Sequence, residues 1–298
     1  MFSASHRRFE KAFAKAPIIN FDDGSKFVFF SDCHRGDNSF ADEFANNRNI
    51  YFHALKYYFQ ENFTYIELGD GDELWENHRF HTILEAHKNV YALLKDFHDN
   101  KRLYMLYGNH DMVHKDSRYV KRHYDTWYDP NLGEEVSFMP GLLIHEAIRL
   151  KHTQTGQEIF LVHGHQADTW NYTFWRFARL MVRVLWRPLQ VVGISDPTSP
   201  ARNNLESFKI EKRTKRWITF RKNLFTIVGH THRPRFPEPG DLPLFNDGCC
   251  VHPRSITGIE FVNGEISLIK WYIDTTDEGY LQIVRTVLEG PQKIADYH

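Results

Sequence analysis

Five short, largely apolar runs punctuate the chain: Phe27–Phe30, Tyr65–Leu68, Leu103–Tyr107, Ile159–Val162 and Phe225–Val228. Each breaks off into polar residues at its carboxyl end. Continuous apolar runs of this length, without polar alternation, predict strands buried on both faces of a sheet. Between them, Ala45 to Phe59 carries Ile50, Ala54, Tyr57 and Tyr58 at spacings of three and four, which predicts an amphipathic helix. A second helix is expected from about His81 to Asp96. From Val113 to Gly141 the pattern is irregular and polar, with turn signals at Asp129-Pro130 and Asn131-Leu132-Gly133, and surface loops are expected there. Leu142–Leu150 and Glu158–Val162 flank Thr153-Gln154-Thr155-Gly156 as a hairpin pair. Asn263-Gly264, a strong hairpin-turn signal, joins Ile256–Val262 to a returning strand over Glu265–Ile273, and this pair is expected to complete a second sheet. Residues 1–20 read as a peripheral helix and a linker broken at Pro17. The tail from Asp274 reads as a peripheral strand or helix, with no signal to choose between them.

The stretch between the fourth and fifth runs has a different texture. Trp170 to Trp186 is dominated by Trp, Phe, Leu, Met and Val, and its arginines fall at Arg176, Arg179, Arg183 and Arg187. On a helix these four share one narrow face and leave a wide apolar surface elsewhere. A membrane-spanning helix is disfavoured, because each arginine costs about 2.5–3.5 kcal/mol at a helix centre. Downstream, Lys209, Lys212, Arg213, Lys215, Arg216, Arg221 and Lys222 make a strongly basic segment. Two readings stand: a helical cap over about 166–224 offering apolar surface and cations to an amphiphilic anion or a membrane surface, or a buried helix with a solvated arginine stripe.

Composition narrows the class. With 298 residues, 42% hydrophobic and 25% charged, the chain is an ordinary globular protein able to bury a large core. A net charge of −1 argues against whole-protein attraction to nucleic acid, leaving only local basic patches for that role. Three cysteines, two of them adjacent at Cys249 and Cys250, form no disulfide framework and point to a reducing, cytoplasmic setting. The first twenty residues lack the apolar core and cleavage site of a secretory signal.

Each apolar run hands over to residue types that bind metal ions. The run ends read Asp32-Cys33-His34, Gly69-Asp70, Gly108-Asn109-His110-Asp111, His163-Gly164-His165 and Gly229-His230-Thr231-His232. Ligands of α/β sheets bind beyond the carboxyl ends of the strands, and the adjacent glycines allow close backbone approach. Period-two alternation puts Asp32 and His34 on one face, likewise His230 and His232, with Cys33 turned away as a packed thiol. Arg35 could neutralise phosphate oxygens or be an ordinary surface arginine. Asp72 and Glu73 are expected behind the ligands or in solvent, and His145 and His152 at the surface.

The five blocks, in this order, resemble the calcineurin-like metallophosphoesterase superfamily over roughly residues 26–272. The resemblance implies an α/β fold of two mixed sheets packed as a sandwich flanked by helices, in a single domain carrying the cap insertion. It places one divalent cation on Asp32, His34, Asp70 and His232, and a second on Asp70, Asn109, His163 and His230. A bridging hydroxide would be the nucleophile, His110 would meet the phosphate and protonate the leaving oxygen, and Asp111 would orient His110. Mixed N/O ligation suits Mn, Fe, Zn or Co rather than calcium, and Mn is the choice the resemblance implies. Asn246-Asp247-Gly248-Cys249-Cys250-Val251 and the long aromatic insertion are similar to the UDP-2,3-diacylglucosamine diphosphatase branch. That likeness implies a pyrophosphate substrate with a lipid-linked UDP-sugar character, met by Arg35, His165, Trp175, Arg179 and Arg183, and a cytoplasmic enzyme peripheral to the inner membrane face. The competing readings are a phosphodiesterase or nuclease, a phosphomonoesterase, and a non-catalytic scaffold. A protein phosphatase is disfavoured, since the third block reads Gly-Asn-His-Asp and no Arg-Gly comes after the second.

Overall fold

The computed structural model describes residues 3–129, 132–168, 172, 175–182 and 204–297. In chain order the strands are β1 (Ile18–Phe21), β2 (Lys26–Phe30), β3 (Thr64–Leu68), β4 (Leu103–Leu106), β5 (Thr126–Asp129), β6 (Glu134–Ser137) and β7 (Ile144–His145). They continue as β8 (Ala147–His152), β9 (Glu158–Val162), β10 (Phe225–Val228), β11 (Leu244–Asn246), β12 (Ser255–Val262), β13 (Glu265–Thr275) and β14 (Leu281–Lys293). The described helices are α1 (Ala4–Lys15), α2 (Arg48–Gln60), α3 (Phe80–Ala86), α4 (Lys88–Asp99), α5 (Ser117–Tyr124), α6 (Trp175–Met181) and α7 (Asn204–Phe220).

Two mixed sheets stack face to face. One is seven-stranded, in the order β14-β13-β12-β2-β3-β4-β7, and the other five-stranded, in the order β1-β8-β9-β10-β11. Phe27, Phe29, Ile66 and Leu68 from the first interlock with Ile148, Ile159, Leu161 and Ile227 from the second to form the inner core. On the outer face of the seven-stranded sheet, Val28, Phe30 and Tyr65 pack against Ile50, Ala54 and Tyr58 of α2 and Leu94 of α4. On the outer face of the other, Phe160, Val162 and Val228 pack against Phe9 of α1 and Trp217 of α7. The central strands are thus apolar on both faces because both faces are covered.

Strand direction sets up the site. β2, β3 and β4 run parallel in one sheet, and β9 and β10 run parallel in the other. All five apolar runs of the sequence are these strands, so their carboxyl ends open onto one rim of the sandwich.

Several expectations are corrected. β12 and β13 do not build a second sheet: β12 pairs antiparallel with β2 and so extends the sheet that already holds β3 and β4. The linker after Pro17 is strand β1, parallel to β8. The single helix expected from His81 to Asp96 is two, broken at His87, whose ring is held 2.9 Å from Asp42 Oδ2 in the interior. Val113–Gly141 contains α5, capped by the Asp116 carboxylate, and the β5–β6 hairpin rather than loops alone. His152 is buried with its ring edge-on to Phe21, not at the surface, whereas His145 is half-buried. Much of the expected cap over 166–224 lies outside the described residues, Arg176 having no described side chain and Arg183 and Arg187 no described position. Its described carboxyl half, α7, packs on the five-stranded sheet through Ile210, Trp217 and Ile218. Among the described residues no helix is long and apolar enough to cross a membrane.

Candidate metal centre

The ligand-type residues converge at that rim, but not by strand alternation. β2 stops at Phe30 and β10 at Val228, and beyond them Asp32, His34, Asp70, His230 and His232 adopt left-handed backbone conformations with φ between 49° and 67°. Asp and His tolerate this region better than most residues with a Cβ. Each loop is pinned by its neighbour: Asp32 N donates to Gly69 O (3.0 Å), His34 N to Asp70 O (2.9 Å) and Gly229 N to His163 O (3.0 Å). Two glycines are required by the crowding, since a Cβ on Gly108 would collide with Asp70 Oδ1 and one on Gly229 with Ser31 Oγ.

The resulting geometry gathers acceptors against acceptors. Asp32 Oδ1 lies 3.1 Å from His232 Nε2, 3.7 Å from His34 Nε2 and 3.9 Å from His163 Nε2. Asp70 Oδ2 lies 3.1 Å from His163 Nε2 and 3.9 Å from His34 Nε2. Ligand atoms of Asp32, His34 and His232 fall within 4.8 Å of one another, as do those of Asp70, His163 and His230, and those of His34, Asp70 and His110. Each such group could hold a metal ion.

Asp32 Oδ1, His34 Nε2, Asn109 Oδ1, His163 Nε2 and His230 Nε2 are all buried without a hydrogen-bond partner. Native interiors leave few polar atoms unpaired, so these orphans, four of which belong to the grouped ligand sets, call for cations to satisfy them. Their outer partners fix the tautomers accordingly. His163 Nδ1 donates to Leu68 O (2.9 Å) and His34 Nδ1 bonds Glu73 Oε2 (2.8 Å), turning both Nε2 lone pairs inward. The field agrees: burial opposes charging of the rings, yet Asp70 and Asp32 lift His163 to about 9, and Asp32 lifts His232 to about 10. The residues fit divalent cations.

Other expected site residues fall in different places. Arg35 is fully buried; its guanidinium forks onto Glu67 (2.6 and 2.8 Å) and donates to Asp72 (2.9 Å), so it cannot meet a substrate and that expectation is corrected. Asp111 does not orient His110. It accepts from the backbone of Gly108 (2.6 Å) and Gly71 (2.9 Å) and so braces the loops instead. The partner of His110 is Glu73, 2.7 Å from its Nδ1, while Trp75 stacks on the ring at 4.2 Å. His110 keeps 24% of its side chain exposed, which makes it the member of the cluster able to reach a bound molecule. His165 is enclosed, 5.4 Å from the His163 ring with neither nitrogen hydrogen-bonded; burial, then His163 and His230, keep it neutral. Trp175 and Arg179 stack on each other in α6 (4.9 Å), and Arg183 lies outside the described residues. Cys33 is a packed core thiol.

Glu73 stands behind the ligands, one of the two places the sequence allowed it, while Asp168 and Ser31 escape a reading of the sequence. Glu73 ties His34 to His110, and although burial opposes its charge, those two histidines hold it down to about 2. Asp168 stands 3.4 Å from His230 Nε2. Ser31 Oγ lies between Asp32 Oδ2 (2.5 Å) and Asp247 Oδ1 (2.8 Å). The acidic run after Asp70 is the available signal for Glu73, but its partners are set by tertiary contact. Replacing Glu73 with Gln should turn its amide N–H toward one imidazole and force that ring's tautomer. Metal affinity or turnover should then fall by about 10–100-fold, as read by metal titration and steady-state rates.

A family profile described as calcineurin-like phosphoesterase matches residues 25–234. Among solved structures the chain is similar to vacuolar protein sorting 29 from Cryptosporidium parvum, at 14% identity and TM-score 0.40, covering 90% of this chain and 99% of that one. It is also similar to Vps29 from Chaetomium thermophilum, at 8% identity and TM-score 0.37, covering 90% and 97%. No curated protein matches the chain.

Proposed function

Because this chain belongs to the calcineurin-like phosphoesterase family, we propose that it is a hydrolase whose rim cluster holds two divalent cations and cleaves a phosphoester or pyrophosphate bond. The observation carrying this reading is the set of buried, unpartnered ligand atoms aimed at one another. One cation would sit on Asp32, His34, Asp70 and His232, the other on Asp70, Asn109, His163 and His230, with Asp70 common to both. When bound, such a pair supplies Lewis-acid charge and lowers the pKa of water toward neutrality. The N/O donor set suits Mn, Fe, Zn or Co, and Mn is put first on the family resemblance alone.

The chain's own residues do the rest. Loops after β2, β3 and β10 hold the carboxylates and imidazoles rigidly, which spares reorganisation at the moment of reaction. His110 binds the phosphate and delivers a proton to the leaving oxygen from Nε2, its Nδ1 being engaged by Glu73. A cleft of about 280 Å³ borders the His230–His232 loop and is lined by Phe208, Thr231, Arg233 and Arg235. Arg235 is paired with Glu211 on the same wall, so Arg233 beside Phe208 and Leu244 is what suits a phosphate-bearing molecule with an apolar part, such as the pyrophosphate of a lipid-linked nucleotide sugar. In this reading the enzyme is one domain with a cap over 166–224, works in the cytoplasm, and reaches a membrane-borne substrate at the inner face.

The test is hydrolysis of bis-p-nitrophenyl phosphate by the metal-reconstituted protein, with and without chelator. Chelator-sensitive turnover is expected; no turnover with metal demonstrably bound would move the assignment to a non-catalytic scaffold. His110→Ala should lower kcat by about 10²–10⁴-fold with metal content unchanged, whereas loss of metal would make His110 a ligand.

A further inference from the structure

The N-terminal helix and the basic helix before β10 are two hundred positions apart in sequence and side by side in space. Phe9 stacks on Trp217 at 5.0 Å, His6 packs edge-on against Phe220, and Glu10 takes the Arg221 guanidinium at 2.6 Å. Both helices bury their inner faces on the five-stranded sheet, through Phe9 and Ala12 of α1 and through Ile210, Trp217 and Ile218 of α7. Their outer faces therefore merge into one surface.

That surface is strongly cationic. Over 4–15 and 204–222 there are eleven Lys and Arg against three Glu, in a chain whose net charge is −1. The three carboxylates are already occupied: Glu10 by Arg221, Glu206 by Lys209, and Glu211 by Lys215 and Arg235. Lys11 and Lys15 on α1, and Lys212, Arg216 and Lys222 on or just after α7, are exposed or half-buried at the surface. Large apolar side chains stand among them, with Leu205 74%, Phe208 64% and Phe220 52% exposed. Cations alone would suit any polyanion. Cations interspersed with exposed Leu and Phe suit a surface that is anionic at the headgroups and apolar just beneath.

We propose that the joint outer face of α1 and α7 docks the protein on an anionic phospholipid bilayer. The contact is electrostatic in range, with Leu205, Phe208 and Phe220 entering the headgroup region. It narrows the membrane contact that the sequence placed on a cap over about 166–224 to the α7 part of that span, and adds the N-terminal helix to it. Phe208 also lines the cleft beside the His230–His232 loop, but none of these side chains is a metal ligand, so vesicle binding is read separately from turnover.

The experiment is co-sedimentation of the full-length protein with phosphatidylglycerol-containing vesicles and with pure phosphatidylcholine vesicles, at low salt and at about 0.15 M salt. Binding to the anionic vesicles alone, weakening with salt, is expected. Each cation at such a surface contributes about 1 kcal/mol, so the K11Q/K212Q/R216Q variant should partition about 100-fold more weakly. These three side chains lie at the surface, so circular dichroism and metal content should match the parent. Equal binding to both vesicle types, no binding to either, or unchanged binding by the variant would overturn the proposal. So would displacement of the protein from anionic vesicles by duplex DNA at comparable concentration, which would make the face a nucleic-acid surface.

Discussion

Asp70→Asn is expected to strip at least one cation from the protein and to lower kcat/KM by about 10³-fold or more, equivalent to about 4 kcal/mol of transition-state stabilisation. The substitution preserves shape. The residue is buried at the meeting point of both ligand groups, with Oδ1 accepting the His110 amide at 2.7 Å and Oδ2 facing His163 at 3.1 Å and His34 at 3.9 Å. An amide removes the negative charge and leaves one oxygen, so it cannot serve two cations and the backbone together. The field that lifts His163 to about 9, against burial and with Asp70 as its main source, should weaken in step. Metal analysis and turnover, measured on the same preparation, check the prediction. Full metal occupancy with unchanged turnover would remove Asp70 from the shared position.

How far each determinant reaches along the chain decides which parts of the centre can be anticipated. Five strands are legible because a fully buried strand writes itself as an unbroken apolar run, and β10 occupies Phe225–Val228 as expected. The ligand types at the run ends are legible for the same local reason. Strand alternation would explain their convergence, but the backbone has already left the strand: Asp32 and His34 share the site through left-handed turns with φ of 50° and 49°. Alternation is a property of strands, and nothing in the one-dimensional pattern marks where a strand yields to such turns. Sheet membership of β12 is likewise hidden, because the edge it joins is free only once β2 has found β3. The pairing of Glu73 with two histidines depends on loops forty residues apart, and so does the bracing role of Asp111. One local clue does exist for Arg35. Tyr65-Ile66-Glu67-Leu68 places a carboxylate inside a buried strand, and a buried carboxylate requires a cation or several donors.

Arg35 carries the largest stability effect expected here, although it touches no substrate. Its fork onto Glu67 and its bond to Asp72 sit inside a ring of hydroxyls: Tyr65 reaches Glu67 at 2.9 Å, Tyr124 reaches Asp72 at 2.8 Å, and Tyr91 also bonds Asp72. The backbone of the same residue clamps the two ligand loops, Arg35 N donating to Gly71 O and Glu73 N to Arg35 O, both at 3.0 Å. Arg35→Met would leave two buried carboxylates without their cation, and breaking one partner of a buried ion group costs about 3–5 kcal/mol. Against a total of about 5–15 kcal/mol, that is a large share of stability. Arg35→Lys keeps the charge but loses the bidentate fork, so it should fall between parent and Met. The variant R35M/E67Q/D72N removes the uncompensated charges and should recover much of the melting temperature. It should not recover metal affinity if the guanidinium is what holds the Gly69–Glu73 loop against Asp32 and His34. Thermal unfolding and metal titration of the three variants separate the two effects, and full recovery of both in the triple variant would reduce Arg35 to a charge balance.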